Sequence, residues 1–345
     1  MEENSVKQES VMEYLVKFAP VVILAGKNPL KLKRLDMKIL GIGNAIVDVI
    51  CKVDDSFISQ NNLTKSTMKL FFDENEFKKL LDNLRVEKTV SGGSVANSIV
   101  GISQLGDKAG FIGKISNDEF GSKYEEGLKT ENVDYFYSKK KEELPTGTCL
   151  ILVTPDSERT MCTFLGIAGR INENDIDADI IKKSEIIFLE GYLWDEGEPK
   201  KAFNKAIKCA NKVAMSLSDQ FCVDRHKSDF LNLVKNKLDI TFANEKEIRS
   251  LIDAKNFSEV INFSKQLNRL IVVTRGDKGA VAIKGQTVIE SDIKKNLKIV
   301  DLTGAGDLFA AGFLHRYINR LSIKDCLGKG TELAAKVIQQ IGARL

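Results

Sequence analysis

The strongest chemical signal in the sequence is a run of small residues that ends in an aspartate. Asp307 stands directly before residues 308–317, whose composition is typical of a helix, and Gly304, Ala305 and Gly306 precede it. Small residues at the start of a helix let several backbone N–H groups converge on one anion, aided by the helix dipole. Asp307 could simply cap the helix. A carboxylate beside such donors could also accept a proton from a hydroxyl while the donors hold the charge on a phosphoryl group.

A second cluster combines paired glycines with short polar side chains. Gly92 and Gly93 would let a ligand approach the backbone closely, and Asn97 offers both a donor and an acceptor. Asn44 and Asp48 come just beyond the first predicted strand, where side chains face the ligand crevice of α/β proteins. An acidic residue there suits the vicinal hydroxyls of a sugar. Glycine pairs before helices are also common turns, so this cluster is a weaker signal than the first.

Two further polar junctions follow later predicted strands. Asn244 and Glu247 are three residues apart and would share a helical face, from which they could orient hydrated Mg²⁺ near phosphates. Thr274, Gly276 and Gly279 form a junction between a strand and a turn. Each junction could also be a cap or a tight turn. Both junctions, however, follow successive strands. Loops that bind phosphate at one edge of a sheet would occupy the same positions.

Several competing motifs are absent from the sequence. No G-x-x-x-x-G-K-[ST] pattern occurs, which excludes a P-loop enzyme. The pattern that begins at residues 41–43 has Ile46 where a dinucleotide fingerprint needs its third glycine, so an oxidoreductase is a distant alternative. A G-x-S-x-G elbow is also missing, which argues against a hydrolase. Six scattered cysteines predict reduced thiols, and two histidines leave few ligands for a metal centre.

The composition is that of a soluble globular protein. The chain has 345 residues, of which 43% are apolar and 29% charged, and its 51 basic and 48 acidic residues leave a net charge of +3. That balance predicts no nucleic-acid partner. The apolar stretch 19–25 is far shorter than the ~18 to 20 residues of a membrane span, and its acidic flank does not suit a signal peptide. We therefore expect a cytoplasmic protein with no membrane partner.

The elements that would position these residues alternate between strands and helices from Met37 onward. This alternation predicts an α/β fold with a mainly parallel sheet that is covered on both faces. The regions 46–72 and 133–165 instead carry consecutive strand patterns, which predict a small β-sheet lid over the site. Residues 1–36 lack such a pattern. We interpret them as an N-terminal appendage, with disorder as one option, before a single domain of residues 37–345.

Taken together, the motifs resemble those of the ribokinase family, also called the PfkB carbohydrate kinases. Five motifs occur in the family's order: Gly-Asn-x-x-x-Asp at 43–48, Gly-Gly-x-x-x-Asn at 92–97, Asn-x-x-Glu at 244–247, Thr-x-Gly-x-x-Gly at 274–279 and Asp-x-x-Gly-Ala-Gly-Asp at 301–307. The resemblance covers roughly Met37 to the C-terminus. It implies a ribokinase-like three-layer α/β/α core with a small β-sheet lid. Residues 189–192, 218–219 and 224–226 look most like the adenosine-kinase-like branch.

The resemblance also implies an activity, which is transfer of the γ-phosphoryl group of ATP to a primary hydroxyl, with Mg²⁺ required. Asp307 would be the catalytic base, and the anion hole would be Gly304, Ala305 and Gly306. The acceptor would be bound by Asn44, Asp48, Gly92, Gly93 and Asn97. The nucleotide would be bound by Asn244, Thr274, Gly276 and Gly279, while Asn244 and Glu247 would hold Mg²⁺ through water. Arg159, on the predicted lid hairpin, could contact phosphate or could be a solvated strand charge.

Three functions stay open on this reading. A kinase of adenosine or a related nucleoside is favoured, and a kinase of fructose, ribose or 2-keto-3-deoxygluconate is the alternative within the family. A nucleoside sensor without activity is a third possibility, although a sensor has no need of the base at Asp307. The partner is a small molecule in each case. The chain could be a monomer or a homodimer paired through its lids.

Overall fold

Strands and helices alternate along the chain as the hydrophobic pattern predicts. The computed structural model describes residues 37–156, 158–194, 197–292 and 294–345, so the predicted appendage 1–36 lies outside the described residues. The strands are β1 Met37–Ile42, β2 Ile46–Lys52, β3 Met68–Phe71, β4 Val86–Gly92, β5 Ala109–Ile112, β6 Asp134–Tyr135, β7 Gly147–Val153, β8 Arg159–Phe164, β9 Ser184–Glu190, β10 Val213–Ser216, β11 Ile240–Asn244, β12 Leu270–Thr274, β13 Ala280–Lys284 and β14 Thr287–Glu290.

Most of the helices connect consecutive strands. They are α1 Asp55–Gln60, α2 Glu74–Asp82, α3 Ser94–Gln104, α4 Glu119–Thr130, α5 Ala178–Lys183, α6 Glu198–Cys209, α7 Gln220–Arg225, α8 Lys227–Asn236, α9 Glu245–Leu251, α10 Phe257–Lys265, α11 Ala305–Ile318 and α12 Ile323–Val337. Among the helices that the structure describes, none combines the length and apolarity that crossing a membrane requires.

The larger sheet has nine strands within the described residues, in the order β14-β13-β12-β11-β10-β9-β1-β5-β6. The pairs from β12 to β6 are parallel, and β13 and β14 add an antiparallel edge. The predicted mainly parallel sheet is therefore confirmed. Parallel strands end at the same edge of a sheet, so the polar residues that follow them are brought together there.

Helices cover both faces of the larger sheet. Ile39 and Phe188 belong to the apolar cluster that includes α3, α4, α11 and α12. Their sequence neighbours Leu40 and Leu189 belong to the opposite cluster, with residues of α5 to α10. Successive side chains of a strand point to opposite faces, which is why these β-strands are apolar along their whole length. Burial of both faces produces the predicted three-layer α/β/α core.

The second sheet, which we call the lid sheet, has the order β3-β8-β7-β2-β4. Strands β2, β3, β7 and β8 fall within the regions 46–72 and 133–165, and β7 and β8 form the predicted antiparallel hairpin. Two details differ from the sequence prediction. Strand β4 joins the lid sheet from outside both regions, and β6, from the second region, extends the larger sheet instead.

Helices α3 and α11 pack closely, and this contact positions the site. A Cβ at Gly101 of α3 would lie 3.0 Å from the Cβ of Ala311 on α11, so glycine lets the two backbones approach. The Ser98 hydroxyl crosses the interface to donate to the Asp307 carbonyl at 2.9 Å. The first turns of the two helices therefore lie side by side at the same edge of the larger sheet.

Candidate active site

The carboxylate of Asp307 lies between the first turns of α11 and α3. Ser94 donates from its hydroxyl to Asp307 Oδ1 at 2.6 Å, and Asn97 donates from Nδ2 to Oδ2 at 3.0 Å. The N-cap of α11 is Gly304, which receives no side-chain hydrogen bond. The carboxylate is therefore directed to the neighbouring helix α3 rather than to the end of its own helix, and donors on both oxygens fix its orientation.

The environment of Asp307 suits a group that accepts a proton near neutral pH. Burial raises its pKa to about 6, although the hydrogen bonds from Ser94 and Asn97 and the charge of Arg344 oppose that shift. At neutral pH such a carboxyl is mostly ionised. It is also more basic than an ordinary aspartate, which favours proton transfer from an attacking hydroxyl.

The turn before α11 requires glycine at Gly304 for two reasons. Its φ of +77° lies in the left-handed region, and a Cβ there would lie 2.5 Å from the Cα of Ala343. The first intrahelical hydrogen bond runs from Leu308 N–H to the Gly304 carbonyl at 2.8 Å. The N–H groups of Gly306 and Asp307 precede it and so have no partner within the helix.

The predicted anion hole is thereby refined. Ala305 lies in the same turn, but its N–H donates to the carbonyl of Leu302 at 3.2 Å. The backbone N–H groups that make no such internal bond are those of Gly306 and Asp307, at the positive end of the fourteen-residue helix α11. A developing charge on a phosphoryl oxygen would be stabilised by these two N–H groups.

Asn44 is held by a buried carboxylate that sequence reasoning did not single out as a site residue. Asn44 Nδ2 donates to Glu190 Oε1 at 2.8 Å, and the N–H of Val95 donates to Oε2 at 3.1 Å. Burial raises the pKa of Glu190 to about 7 against these two hydrogen bonds. Asn44 is 1% exposed, and its Oδ1 accepts no hydrogen bond from the described residues. That buried oxygen is an unsatisfied hydrogen-bond acceptor within the described part of the chain.

Asp48 lies within the lid strand β2, in the region 46–72 that the sequence predicts to supply lid strands, rather than at the carboxyl end of a strand of the larger sheet. Its carboxylate covers Gly92, where a Cβ would be 2.4 Å from Asp48 Oδ2. At Gly93, φ is +99° and a Cβ would be 2.3 Å from the Asn44 carbonyl oxygen. The glycine pair therefore lets the two segments that carry Asp48 and Asn44 approach closely.

Arg344 brings a positive charge to the same place. Its Nε donates to Asn97 Oδ1 at 3.1 Å, and its Nη1 donates to Ser91 Oγ at 2.9 Å. Burial raises the pKa of Asp48 to about 7; the charge of Arg344 opposes this shift, and the charge of Asp307 adds to it. The predicted acceptor residues thus lie among several acids and one cation, Arg344, which contacts polar neighbours of those acids.

Asn244 and Glu247 form a capping box at the start of α9. Asn244 Oδ1 accepts from the Glu247 N–H at 2.9 Å, and Glu247 Oε2 accepts from the Asn244 N–H at 3.0 Å. Burial raises the pKa of Glu247 to about 7, an effect that the hydrogen bonds from Asn244 oppose and the charge of Asp219 increases. Both residues line a cavity of about 390 Å³ that also contains Asp307.

This cavity can accommodate a hydrated Mg²⁺. The described residues contain no cluster of three or more His, Cys, Asp or Glu side chains that could hold a metal ion. Mg²⁺ commonly keeps several waters and is bound by one or two carboxylates together with substrate phosphates. A carboxylate at Glu247, facing the cavity that the Asp307 turn also lines, fits that mode of binding.

Of the predicted nucleotide residues, Thr274, Gly276 and Gly279 line an adjoining cavity of about 540 Å³, whereas Asn244 lines only the first cavity. Gly276 and Gly279 have φ values of +60° and +79°, and they shape the turn after β12. Much of the remaining wall is apolar and is contributed by Leu297, Ile299, Leu302, Phe309, Ala334 and Ile338. Thr274, Ala305 and Gly306 border both cavities. An elongated ligand could therefore extend from the apolar wall to the Asp307 carboxylate.

Arg159 connects the lid sheet to the turn before the anion hole. Its Nη1 donates to Asp301 Oδ2 at 2.5 Å, and its side chain is 15% exposed, so it is not a solvated strand charge. Asp301 also accepts from the N–H groups of Thr303 and Gly342. Although burial opposes the shift, these bonds and the charge of Arg159 hold the pKa of Asp301 below its ordinary value.

The structure thus brings the predicted residues together and adds Ser94, Glu190 and Arg344. Ser94 follows the predicted glycine pair directly, and Glu190 ends a buried strand at the edge where ligands bind, so the sequence offered a signal for both. Arg344 follows no strand and belongs to no motif, so the sequence offered no signal for it.

Comparisons with known proteins show which family this chain resembles. The sequence profile of the pfkB family carbohydrate kinases matches residues 43–345. A probable sugar kinase from Rhizobium etli CFN 42 is 36% identical, with a TM-score of 0.80 over 89% of this chain and 94% of its own. Adenosine kinase from Sinorhizobium meliloti is 35% identical, with a TM-score of 0.81 over 90% and 96%. A 5-dehydro-2-deoxygluconokinase from Clostridium beijerinckii is 28% identical over 77% of this chain and 84% of its own.

The family match also fits the chemistry of the site. The matched residues include the lid sheet, the glycine pair, the capping box of α9 and the turn before α11. The two solved structures share both the fold and more than a third of the sequence across most of the chain. The chain is a kinase that belongs to the PfkB family of carbohydrate kinases.

Proposed function

We propose that this kinase transfers the γ-phosphoryl group of ATP to the primary hydroxyl of a nucleoside, with adenosine favoured. The observation that carries the proposal is the position of Asp307. Its carboxylate is fixed by Ser94 and Asn97, and it borders the cavity that Gly306 and Thr274 share with the nucleotide end. One carboxylate therefore faces an acceptor on one side and a phosphoryl donor on the other.

Phosphoryl transfer needs alignment and charge stabilisation more than covalent chemistry. Asp307 accepts the proton of the attacking hydroxyl. The N–H groups of Gly306 and Asp307 stabilise the charge that develops on the transferred group. Asn44 and Asp48 bind the acceptor's other hydroxyls, and Asn97 keeps the base in place. Lid closure excludes water that would otherwise compete as an acceptor.

ATP and Mg²⁺ fit the remaining features. The apolar cavity beyond Thr274 suits a purine, while Gly276 and Gly279 let phosphates approach the backbone. Glu247 and Asn244 would hold Mg²⁺ through water. When bound, the ion would neutralise charge on the phosphate oxygens. Arg159 is placed to contact the same phosphates if it leaves Asp301.

A cavity beside the lid sheet favours a nucleoside over a free sugar. It has a volume of about 820 Å³, with Leu70, Phe72 and Leu165 among its apolar walls. The predicted acceptor residues Asn44, Asp48 and Asn97 do not line it, so it would take the base while they bind the sugar. Its volume and flat apolar side chains suit a base attached to the sugar. The similarity to the S. meliloti adenosine kinase supports the same choice.

A sugar kinase is the second candidate. The similarity to the 5-dehydro-2-deoxygluconokinase favours it, as does the polar part of the same cavity, where Lys114, Glu142 and Asn172 could bind an open-chain sugar acid. A sensor without activity is disfavoured because the base and its donors are complete.

The test measures ATP consumption with Mg²⁺ against adenosine, other nucleosides, ribose, fructose, 2-keto-3-deoxygluconate and 5-dehydro-2-deoxygluconate. We expect the highest kcat/KM with adenosine. Preferential turnover of a free sugar or sugar acid would keep the mechanism and reject the nucleoside. Absence of turnover with every acceptor, in a folded protein that binds ATP, would favour the sensor.

A further inference from the structure

Arg344 is a cation at the acceptor end to which the proposed mechanism gives no role. It reaches the site from beyond α12 and makes two hydrogen bonds with different groups: Nε contacts Asn97 Oδ1, and Nη1 contacts Ser91 Oγ. Its third nitrogen, Nη2, is buried and has no hydrogen-bond partner among the described residues. A guanidinium placed this way holds two side chains in fixed positions and keeps one donor for a further group.

Its bond to Asn97 acts on the catalytic carboxylate. The amide of Asn97 is engaged at both ends, since Oδ1 accepts from Arg344 Nε and Nδ2 donates to Asp307 Oδ2. An amide without the first bond could rotate and present its oxygen to the carboxylate. With the bond in place, the donor must face Asp307. Arg344 thus determines which atom the base contacts, although it does not contact the base itself.

Its charge acts on an acidic region. The titratable groups that face Asp48, Asp307 or Arg344 come from several elements: Glu190 and Tyr192 at the end of β9, Cys149 of β7, Tyr124 of α4 and Glu131 after α4. Arg344 is the cation in this set. It opposes the rise in the pKa of Asp48 and of Asp307 that burial causes.

We propose that Arg344 is the positioning residue of the catalytic base, which orients Asp307 through Asn97 and supplies a positive charge to the acceptor-facing carboxylates. The proposal rests on the proposed function, because it assigns Arg344 to the phosphoryl-transfer reaction. It predicts two separable effects, one of geometry and one of charge. Lysine retains the charge but lacks the fork that reaches two partners, so Arg344→Lys and Arg344→Met distinguish them.

The pH profile of kcat/KM is the first measurement. In the wild type, the base must be ionised, so kcat/KM should rise with pH through an acid limb between about 6 and 7, where Asp307 and Asp48 titrate. Without the cation both pKa values rise, so Arg344→Met should move the limb upward by roughly one unit. Arg344→Lys should keep the limb in place but lower kcat at its plateau. The KM for ATP should stay unchanged in both variants.

A second measurement needs no acceptor. Carboxyl ¹³C shifts of Asp48 and Asp307, assigned with Asp48→Asn and Asp307→Asn, report their titration in the free protein. Both should titrate at higher pH in Arg344→Met than in the wild type. Arg320→Met is the matched control, because Arg320 pairs with Glu185 at the opposite end of β9. It should leave both titrations and the pH profile unchanged.

The outcomes separate this proposal from the proposed function. Absence of turnover in the wild type rejects the kinase reaction, while the ¹³C titration still tests the effect of Arg344 on the carboxylates. An acid limb and carboxyl titrations that stay at wild-type values in Arg344→Met would overturn the proposal. So would an equal loss of activity at every pH with a raised KM for ATP, since that would show general disruption. Should Arg344→Met fail to fold, Arg344→Lys carries the geometric test by its plateau kcat.

Discussion

The predicted acceptor end and the predicted nucleotide end of this site are built differently. At the predicted acceptor end, side chains from both sheets and from helices α3 and α11 hold one another by hydrogen bonds, as Asn97 does between Asp307 and Arg344. At the nucleotide end, glycines shape a turn and apolar side chains form much of the wall. Proton transfer requires atoms at fixed distances, whereas an apolar wall requires shape. Substitutions at the first end should therefore change the rate more than substitutions at the second.

Asp307→Asn should have the largest effect. Asparagine keeps the size of the side chain but cannot accept the proton, so kcat should fall at least ~10²-fold. Steady-state kinetics with the preferred acceptor measure this loss, and calorimetry should show ATP binding preserved. Asp134→Asn, at an exposed position of the edge strand β6, is the matched control and should retain wild-type kinetics. Near-normal turnover by Asp307→Asn would reject Asp307 as the base.

Asp48→Asn should come next. Loss of a charged acceptor of hydrogen bonds from the substrate's hydroxyls should lower kcat/KM for the acceptor about 10- to 100-fold. The KM for ATP should not change, since Asp48 lies on the lid strand β2, away from the nucleotide cavity. Asp82→Asn, at the end of α2, is the matched control. It tests whether the loss of any acidic side chain lowers kcat/KM for the acceptor. An unchanged acceptor KM in Asp48→Asn would remove Asp48 from the binding site.

Arg159 contacts Asp301, shortly before the turn at Gly304, and its substitution should have an intermediate effect. If its guanidinium moves from Asp301 to phosphate during turnover, Arg159→Met should lower kcat about tenfold through the loss of a charged hydrogen bond. Arg159→Lys should recover part of that loss. A fall in the unfolding temperature of Arg159→Met with kcat retained would instead show that the Asp301 pair serves stability.

Thr331→Val should have the smallest effect, and it tests the comparison at the nucleotide end. Thr331 lines the nucleotide cavity, and its hydroxyl is buried with no hydrogen-bond partner in the described part of the chain. If the wall acts by shape, the KM for ATP should change by less than about threefold, because valine keeps the volume and removes an unpaired polar group. A large rise in the KM for ATP would show that the Thr331 hydroxyl binds the adenine of ATP. The nucleotide end would then depend on specific hydrogen bonds, as the acceptor end does.

Much of the fold follows from local pattern. Continuous apolar runs such as β9 and β12 are typical of parallel strands buried on both faces, and helical stretches between them predict the covering layers. The candidate loops could be grouped because parallel strands end at one edge. The turn at Gly304 was identifiable because a left-handed turn before a helix favours glycine.

What the sequence did not predict depends on contacts between distant residues. Strand β4 is mostly polar in its exposed part and belongs to the lid sheet only through its pairing with β2. Arg344 acts on Asn97, 247 positions earlier, and no local pattern encodes such a distance. The residues that orient the base are thus harder to find from sequence than the base itself.

The connections between the two sheets have a consequence for the order of events in turnover. Residues 43–45 join β1 to β2, and Gly93 joins β4 to α3, so both connections carry predicted acceptor residues. If the lid sheet moves about these connections, an acceptor bound to Asn44 and Gly93 would hold their backbone angles. Acceptor binding would then trigger closure of the lid. ATP bound without an acceptor would not be hydrolysed.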